Sequence, residues 1–347
     1  MPQPEVHLVG GAGVDAARLA PIATAMREQG LIRPVLLAAG SDPAAATRTF
    51  GAFGRTPDVT LPPAADQAEA VRHFDALWGV RTPAAVVVRG DGTGSLAGAL
   101  AAHWRHVPIM HVEAGRRAGL PGSSTAAEGD RRLLAQVATV HLAATPLTAM
   151  NLLDERIAAG DVLLTGSTAV EAAGTLVARW WPSAPRAGRL VVVCAGPDRA
   201  EPIGAALGKL AQHYTDLEVL VVPESLPYPE RARHLAGAYL VVTDDEDVPE
   251  EALAFGVPVL IVGAHAGAAE SLYAGCARAA GPAPKRIAMT VAGLLASPVR
   301  RDAMTAAGNP YGDGHAATRI AQATAALLGH GQFPDPMPAR PAAGVTP

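Results

Sequence analysis

Residues 86–119 read VVVRGDGTGSLAGALAAHWRHVPIMHVEAGRRAG and predict one complete strand–helix–strand unit. An acid follows each predicted strand, Asp91 in RGDG and Glu113 in HVEAG. Ligands of an open parallel sheet bind beyond the carboxyl ends of its strands. Two carboxylates at two such ends therefore favour a cleft that handles protons.

Composition sets the broad class of the protein. The chain has 347 residues, which favours two domains, and a net charge of −4 without a basic block, which argues against a nucleic-acid partner. Cys194 and Cys276 lie far apart without a CxxC motif, so neither a zinc site nor a disulfide framework is expected. The first residues lack the features of a signal peptide, and no apolar run is long enough to span a bilayer. We expect a cytoplasmic protein with no membrane partner.

Short β-branched runs alternate with longer Ala- and Leu-rich helical patterns along the whole chain. This alternation predicts an α/β protein with two Rossmann-like, doubly wound domains that face a central cleft. We assign an N-terminal domain to 1–178, a Pro- and Gly-containing linker to 179–188 and a C-terminal domain to 189–314. A helix at 315–330 is expected to pack back towards the N-terminal domain, and the Pro- and Ala-rich tail at 331–347 to be disordered.

The second half restarts the pattern of the first. It predicts strands at 190–193, 217–222, 239–242 and 259–262, with helices at 202–213, 229–236 and 249–255 between them.

Five stretches, in order along the chain, resemble the non-hydrolysing UDP-N-acetylglucosamine 2-epimerases. RGDGTGSLAGALAA and HVEAGRRAG are similar to the family's GDTTTTLA and HVEAGLRT segments, and LLTGSTAVEA to its TGNTVIDA. VVTDDEDVPEEALAFGVPVLIV is similar to TDSGGIQEEAPSLGKPVLV, and residues 309–314 carry the NPYGDG hexapeptide intact. The resemblance implies the glycosyltransferase-B arrangement, with a nucleotide sugar bound between two Rossmann-like domains.

The resemblance also implies a reaction, by elimination and re-addition of UDP. A base removes the sugar C2 proton, UDP leaves C1, and UDP returns after protonation of 2-acetamidoglucal on the opposite face. Such a step needs a positioned base and stabilisation of the departing diphosphate. A UDP-sugar is then the expected partner, and no resident cofactor or metal is expected. Members of the family usually form dimers through the first domain, which implies a homodimer here.

Site residues follow from the positions that match the family's motifs. Asp91 and Glu113 match two catalytic acids, while the third acid falls on Ala127 with Glu128 adjacent. Arg131 matches the helix arginine, and Glu251 the glutamate that holds the ribose hydroxyls.

Several of these matches have an alternative structural explanation. Asp91 could cap the helix that follows it, and Glu251 lies near a helix start, where the dipole favours acids. Tyr311 and Asp313 are candidate substrate contacts, but Asn-Pro and Gly-Asp-Gly turn chemistry accounts for them nearly as well.

This chain departs from the family at ligand positions. Gly13 replaces the arginine of the first loop, where Arg18 could substitute if it pointed into the cleft. Ala39 and Gly40 replace the family's Gln-His pair, and Gly196 replaces its histidine. Ala268 replaces a further arginine, and residues 245–247 replace the Ser-Gly-Gly phosphate loop.

Acids replace the phosphate loop. At Asp244–Asp247 they would repel a diphosphate unless Arg18, Arg199 or Arg131 compensates. The acids could instead turn outward as a solvated cap, or bind a metal such as Mg²⁺. Three functions therefore stay open: an active epimerase, a catalytically impaired homologue with a regulatory or partner role, and a UDP-sugar hydrolase or transferase.

Overall fold

The computed structural model describes residues 3–117, 126–180, 188–263 and 268–338. The contacts of its Cα atoms divide these residues into two units. Unit 1 comprises the described residues of 1–117, 121–172 and 312–338, and unit 2 those of 173–311. Each unit contains a parallel sheet and several helices, which confirms the predicted class of two parallel-sheet α/β domains.

Within the described residues, the sheet of unit 1 has seven strands, each parallel to its neighbours. They are β1 (Glu5–Gly10), β2 (Arg33–Ala38), β3 (Val59–Thr60), β4 (Ala85–Arg89), β5 (Ile109–Ala114), β6 (Val140–Ala143) and β7 (Val162–Leu164). Their order across the sheet is β3-β2-β1-β4-β5-β6-β7. Because β1, β4 and β5 lie side by side, the residues that follow them share one carboxyl edge.

The helices of unit 1 alternate with its strands. They are α1 (Gly13–Gln29), α2 (Pro43–Ala52), α3 (Gln67–Val80), α4 (Thr93–Trp104), α5 (Ala126–Val137), α6 (Pro146–Asp154) and α14 (Ala316–Leu327), while α7 (Ala169–Trp180) begins in unit 1 and ends beyond residue 172. Asp42 and Asp66 cap α2 and α3, and Thr145 forms a capping box with Thr148 at α6. These side chains satisfy backbone N–H groups that a helix start leaves unpaired.

The sheet of unit 2 has five described strands in the order β12-β11-β10-β8-β9. The strands are β8 (Arg189–Cys194), β9 (Leu217–Val221), β10 (Leu240–Thr243), β11 (Val259–Ile261) and β12 (Ala277–Ala279). The helices are α8 (Pro197–Ala211), α9 (Tyr228–Ala236), α10 (Val248–Ala254), α11 (Ala269–Ala274), α12 (Pro284–Leu295) and α13 (Pro298–Ala306).

Alternate side chains of β8 enter two separate cores. Val192 packs in one core with Leu235 of α9, whereas Val193 packs in the other with Leu207 of α8. The sheet is therefore covered on both faces, which explains why its strands read as almost continuous apolar runs.

Two helix boundaries differ from the sequence prediction. α8 begins at Pro197 rather than at the predicted residue 202. Proline is tolerated in a first helical turn, where its missing N–H has no intrahelical partner, and Pro202 instead removes one bond from the second turn. α7 extends through Trp180 into the predicted linker 179–188, of which residues 181–187 lie outside the described part of the chain.

The structure also corrects the predicted tail, residues 331–347, as far as Pro338. Met337 is 9% exposed, and its N–H donates to the Leu164 carbonyl oxygen at the end of β7 (2.7 Å). A buried thioether and a backbone hydrogen bond thus hold 331–338 against unit 1, although the composition predicts disorder. Residues 339–347 lie outside the described residues.

None of the helices in the described ranges combines the length and the hydropathy that crossing a membrane requires.

Candidate active site

Polar side chains from separate parts of unit 1 meet at the carboxyl edge of its sheet. Arg89 ends β4, Glu113 lies near the end of β5, Asp15 is in the first turn of α1, and Ser167 follows β7. All four residues are buried. The strand order explains the convergence, because β1, β4 and β5 are neighbours although residues 15, 89 and 113 are distant in sequence.

A β-bulge sets the orientation of Glu113. The pairing of β5 with β6 shifts register between Val112 and Ala114, and Glu113 has φ 56°. That left-handed conformation costs a non-glycine residue on the order of 1–3 kcal/mol, so the surrounding contacts must hold it in place. A bulge commonly re-aims a side chain beside an active site.

The Glu113 carboxylate has polar partners on both oxygens. Arg89 Nε donates to Oε2 (2.9 Å), Ser167 Oγ donates to Oε1 (2.7 Å), and Arg18 Nη1 lies 3.8 Å from Oε1. Arg89 also donates from Nη1 to Asp15 Oδ1 (3.1 Å). We call these five residues the Glu113 cluster; it balances two guanidinium groups with two carboxylates, as buried charges require.

The cluster determines the charge of Glu113. Burial raises the pKa of this carboxyl, but the positive charges of Arg89 and Arg18 outweigh burial and hold the pKa well below its usual range. The hydrogen bond from Ser167 lowers the pKa further. Glu113 is therefore a carboxylate at neutral pH.

Arg18 belongs to this cluster. Its side chain is 0% exposed, and its Nη1 donates to Ser167 Oγ (3.1 Å). The Arg18 guanidinium is therefore fully buried and paired with Glu113, and its use in place of the arginine replaced by Gly13 stays a prediction.

The predicted residues Asp91 and Arg131 are in contact. Arg131 Nε, on α5, donates to Asp91 Oδ2, in the turn between β4 and α4, at 2.6 Å. The Asp91 side chain is 26% exposed, against 3% for Glu113. Burial is the main cause that raises the pKa of the Asp130 carboxyl on α5, and the negative charge of Asp91 raises it further. The two predicted acids thus differ in access to solvent.

Glu128 lies in a different ionic cluster. Its Oε1 is 2.9 Å from Arg132 Nε and 3.9 Å from Arg117 Nε, and both arginines also pair with Glu155 at the end of α6. Only 7% of the Glu128 side chain is exposed. The structure therefore places Glu128 outside the Glu113 cluster, in contacts that tie α5 to α6.

In unit 2, Glu251 is paired with Arg231 of α9. Both Glu251 oxygens accept from Arg231 Nη2, at 3.0 and 3.2 Å, and the Glu251 side chain is 1% exposed. Burial lowers the pKa of Arg231, but the charges of Glu251 and Asp245 raise it overall. The guanidinium therefore stays charged and neutralises Glu251.

The acids of residues 244–247 are engaged by the chain itself. Asp244 accepts from the Gly196 N–H (2.9 Å) and from Arg199 Nη1 (3.0 Å). Asp245 Oδ1 accepts from the N–H groups of Asp247 (2.7 Å) and Val248 (3.1 Å). These two acids are capping groups at the starts of α8 and α10. The predicted solvated cap comes nearest to this arrangement, although Asp244 is only 13% exposed.

The described residues contain no cluster of potential metal ligands. Within those residues, no group of three or more histidine, cysteine, aspartate or glutamate side chains converges as a metal site would require.

The side chains of Tyr311 and Asp313 both contact other parts of the protein. Tyr311 is 1% exposed and packs in the core of unit 2. Asp313 pairs with Arg319 through both oxygens, at 2.6 and 2.8 Å, and accepts from the His315 N–H (3.1 Å). The Arg319 hydrogen bond lowers the pKa of Asp313 to about 2. Core packing thus places Tyr311, and pairing with Arg319 places Asp313; contact of either residue with a substrate stays a prediction.

Sequence patterns do not single out Asp15, Arg89, Ser167 or Arg231. For Arg89 a weak signal was available but was not used: it ends the buried strand AVVVR, where a charged side chain needs a partner. The partners themselves depend on the strand order and on the bulge at Glu113, neither of which is written in local sequence.

Comparison with known proteins identifies the family. The family model described as UDP-N-acetylglucosamine 2-epimerase matches residues 63–190 and 182–325. The Bacillus subtilis UDP-N-acetylglucosamine 2-epimerase is 26% identical, covering 92% of this chain and 94% of its own. The Escherichia coli K12 enzyme of the same name is 30% identical, over 70% of this chain and 75% of its own.

A solved structure shows the same fold. The complex of S. aureus MnaA with UDP matches with a TM-score of 0.88 at 24% identity, covering 97% of this chain and 100% of that one. Together with the family-model match and the two enzyme relatives, these findings mean that the chain belongs to the UDP-N-acetylglucosamine 2-epimerase family of isomerases.

Proposed function

We propose that the protein epimerises C2 of a UDP-N-acetylhexosamine, interconverting UDP-GlcNAc and UDP-ManNAc by elimination and re-addition of UDP. The Glu113 cluster carries the proposal: it holds a buried carboxylate at the end of β5. The neighbouring strand β4 leads into the turn that carries Asp91. Family membership supports the reaction, and the cluster supports the chemistry that such a reaction needs.

The two acids suit different tasks. Glu113 is held as a carboxylate by two guanidinium groups, which makes it a weak base. Its fixed negative charge would stabilise the positive charge that develops at C1 as UDP departs. Asp91 is more exposed and suits transfer of the C2 proton, with Arg131 as its counter-ion.

Arg131 and Glu251 remain proposed substrate contacts. Each is in a salt bridge, Arg131 with Asp91 and Glu251 with Arg231. Binding would exchange part of that bridge for a substrate group, so these pairs would rearrange on binding.

One observation favours the second candidate, a catalytically impaired homologue with a regulatory or partner role. Backbone donors at Gly196, Asp247 and Val248 already bind carboxylates of the chain. A bound diphosphate would have to displace Asp244 or Asp245 or to find other donors. Unit 2 therefore provides a reason for weak binding of UDP.

Incubation with UDP-GlcNAc in deuterated water separates the candidates. Deuterium at C2 of a recovered UDP-sugar, with UDP-ManNAc formed, supports the epimerase. No exchange and no thermal shift with millimolar UDP would support the impaired homologue. Release of UDP without a returned UDP-sugar would support a hydrolase or a transferase.

We further propose that the protein is a homodimer through unit 1. The helices α4, α5 and α6 follow three neighbouring strands and carry exposed apolar side chains, namely Trp104, Leu133, Leu147, Met150 and Leu153. On α6 these are spaced at three-residue intervals, with exposures of 38%, 57% and 44%. We call this set the α4–α6 surface; a second copy of the chain would remove it from water.

A further inference from the structure

We infer that Arg89 is a positioning residue, which holds the Glu113 carboxylate in the orientation that the reaction uses, and that Asp15 holds Arg89. The inference rests on the proposed function for its catalytic meaning. The contacts of Arg89 with Glu113 and Asp15 lie within unit 1, and their effect on Glu113 can be measured without enzyme turnover.

Arg89 is anchored at both ends. Its carbonyl oxygen accepts from Ser95 Oγ on α4 (2.5 Å), and its side chain, 4% exposed, donates to Glu113 and to Asp15. The two carboxylates occupy different edges of the guanidinium, Nε and Nη1. A planar group held in this way fixes direction as well as charge, which a lysine ammonium does not do.

Asp15 lies against two glycines, Gly11 and Gly90, and its side chain is 4% exposed. A Cβ added at Gly90 would lie 2.9 Å from Asp15 Oδ1, and one added at Gly11 would lie 3.3 Å from Oδ2. A side chain at Gly90 would therefore collide with the carboxylate oxygen that accepts from Arg89. Because it is buried and bonded to the guanidinium, Asp15 is suited to hold Arg89 in place.

Arg89 makes the shorter of the two charged contacts with Glu113, 2.9 Å against 3.8 Å for Arg18. The polar and titratable groups that act on Glu113 come from β4, α1, β5 and its following turn, and the segment after β7: Arg89, Arg18, His111, Arg116 and Ser167. Asp15 contacts Arg89 instead. Because Glu113 has a left-handed backbone, losing the main contact frees both its side chain and its bulge to relax.

The test uses Arg89→Gln and Arg89→Lys in the full-length protein. Carbon-13 NMR follows the Glu113 carboxyl, assigned by its absence in Glu113→Gln, through a pH titration. In Arg89→Gln the midpoint is expected to rise by about one pH unit or more. Arg89→Lys keeps the charge but loses one contact, so its midpoint should lie between those of Arg89→Gln and wild type.

Arg105→Gln is the matched control. Arg105 is also in unit 1 and pairs with Asp75 through Nε and Nη2, so its loss removes an arginine–carboxylate pair, a more exposed one, without touching Glu113. An unchanged Glu113 midpoint in Arg89→Gln, or in Arg89→Lys if the glutamine variant does not fold, overturns the inference. A shift of the same size in Arg105→Gln would also overturn it.

Kinetics provide a second readout. If wild type exchanges C2 deuterium, Arg89→Gln should lower kcat by about 10²-fold or more with KM changed less than about threefold, and Arg89→Lys should recover part of the loss. A rise in KM at constant kcat contradicts a positioning role. An inactive wild type would contradict the proposed function, whereas the NMR midpoint would still decide the role of Arg89.

Discussion

At Glu113, burial and ion pairing act in opposite directions on the pKa of one carboxyl group, and ion pairing prevails. The side chain is 3% exposed and touches Arg89 and Ser167. Removing only the charge at this position therefore tests both stability and catalysis.

Glu113→Gln keeps the shape and loses the charge. It leaves two buried guanidinium groups with less compensation, so the free energy of unfolding should fall by about 3–5 kcal/mol. C2 exchange should fall by about 10³-fold or more, because fixed negative charge is lost beside the reacting centre. Denaturant unfolding and deuterium incorporation measure the two effects.

Glu5→Gln is the control for this change. Glu5 also pairs with arginines, Arg33 and Arg81, but its side chain is 24% exposed and it lies at the opposite end of β1. Exchange in Glu5→Gln should match wild type. Equal rates of C2 deuterium exchange in Glu113→Gln and Glu5→Gln would show that Glu113 has no role in the reaction.

Buried histidines make stability depend on pH. Burial lowers the pKa of His111 to about 3 and that of His7 to about 4, whereas an unfolded histidine titrates near 6.5. Above pH 6.5 both states are neutral and the folded state has its full stability. As the pH falls below 6.5, only the unfolded chain binds the proton, so the free energy of unfolding should decrease by about 1.4 kcal/mol per unit for each histidine.

The variant His111→Leu lacks one histidine that takes up a proton on unfolding. The free energy of unfolding of this variant should therefore fall less steeply than that of wild type between pH 6.5 and 4. Urea unfolding at several pH values measures the slope. A wild-type slope in His111→Leu would contradict the prediction.

Some of the site could be predicted residue by residue, and some could not. Asp91, Glu113 and Arg131 lie in matched motifs, and the structure brings Asp91 and Arg131 together. Arg89 and its partner Asp15 depend on β1 and β4 being neighbours, which is a property of the whole sheet.

At the scale of elements, the start of α10 shows how the chain fills its own anion-binding donors. Asp245 caps two N–H groups there, while its Oδ2 lies 4.0 Å from Arg231 Nη1. Its carboxylate combines two functions, capping and negative charge, and serine can supply the first without the second.

Asp245→Ser should therefore keep α10 and bind UDP more tightly. Removing one like charge near a diphosphate is worth on the order of a few kcal/mol at an effective dielectric near 20, so affinity should rise about tenfold or more. Isothermal titration with UDP measures it. Asp302→Ser, at an exposed acid of α13 that pairs with Arg301, is the control and should leave affinity unchanged. Unchanged affinity in Asp245→Ser would show that the acid does not oppose UDP.

Elements with strong patterns were predictable, whereas short or irregular ones were not. Valine-rich runs predict β4 and β8, because strands buried on both faces are almost uniformly apolar. β3 has two residues, too few to form a pattern, and α8 starts earlier than its proline pattern suggests. The bulge in β5 leaves no local signal, since HVEAG reads as an ordinary strand end.

At the scale of the whole molecule, alternating strands and helices sufficed to predict two parallel α/β domains. The same sequence predicts activity less directly, because both the retained acids of unit 1 and the self-capped donors of unit 2 bear on it. Assembly is a further property of the whole chain.

The proposed homodimer predicts that the purified protein has about twice the mass of the 35.3 kDa chain in solution. Met150→Glu with Leu153→Glu places charge in the α4–α6 surface and should yield monomers, because burying unpaired charge is unfavourable. Sedimentation velocity measures the mass. Met289→Glu, at a methionine of unit 2 that is 67% exposed, should remain dimeric. A monomeric wild type would contradict the proposal.

The central claim is that this chain still removes and returns the C2 proton of a UDP-N-acetylhexosamine. The most direct test is proton NMR and mass spectrometry of UDP-GlcNAc incubated with the protein in deuterated water. We predict deuterium at C2, a mixture of UDP-GlcNAc and UDP-ManNAc, and loss of both in Asp91→Asn. A C2 position that stays fully protonated after prolonged incubation of folded wild-type protein would contradict the account.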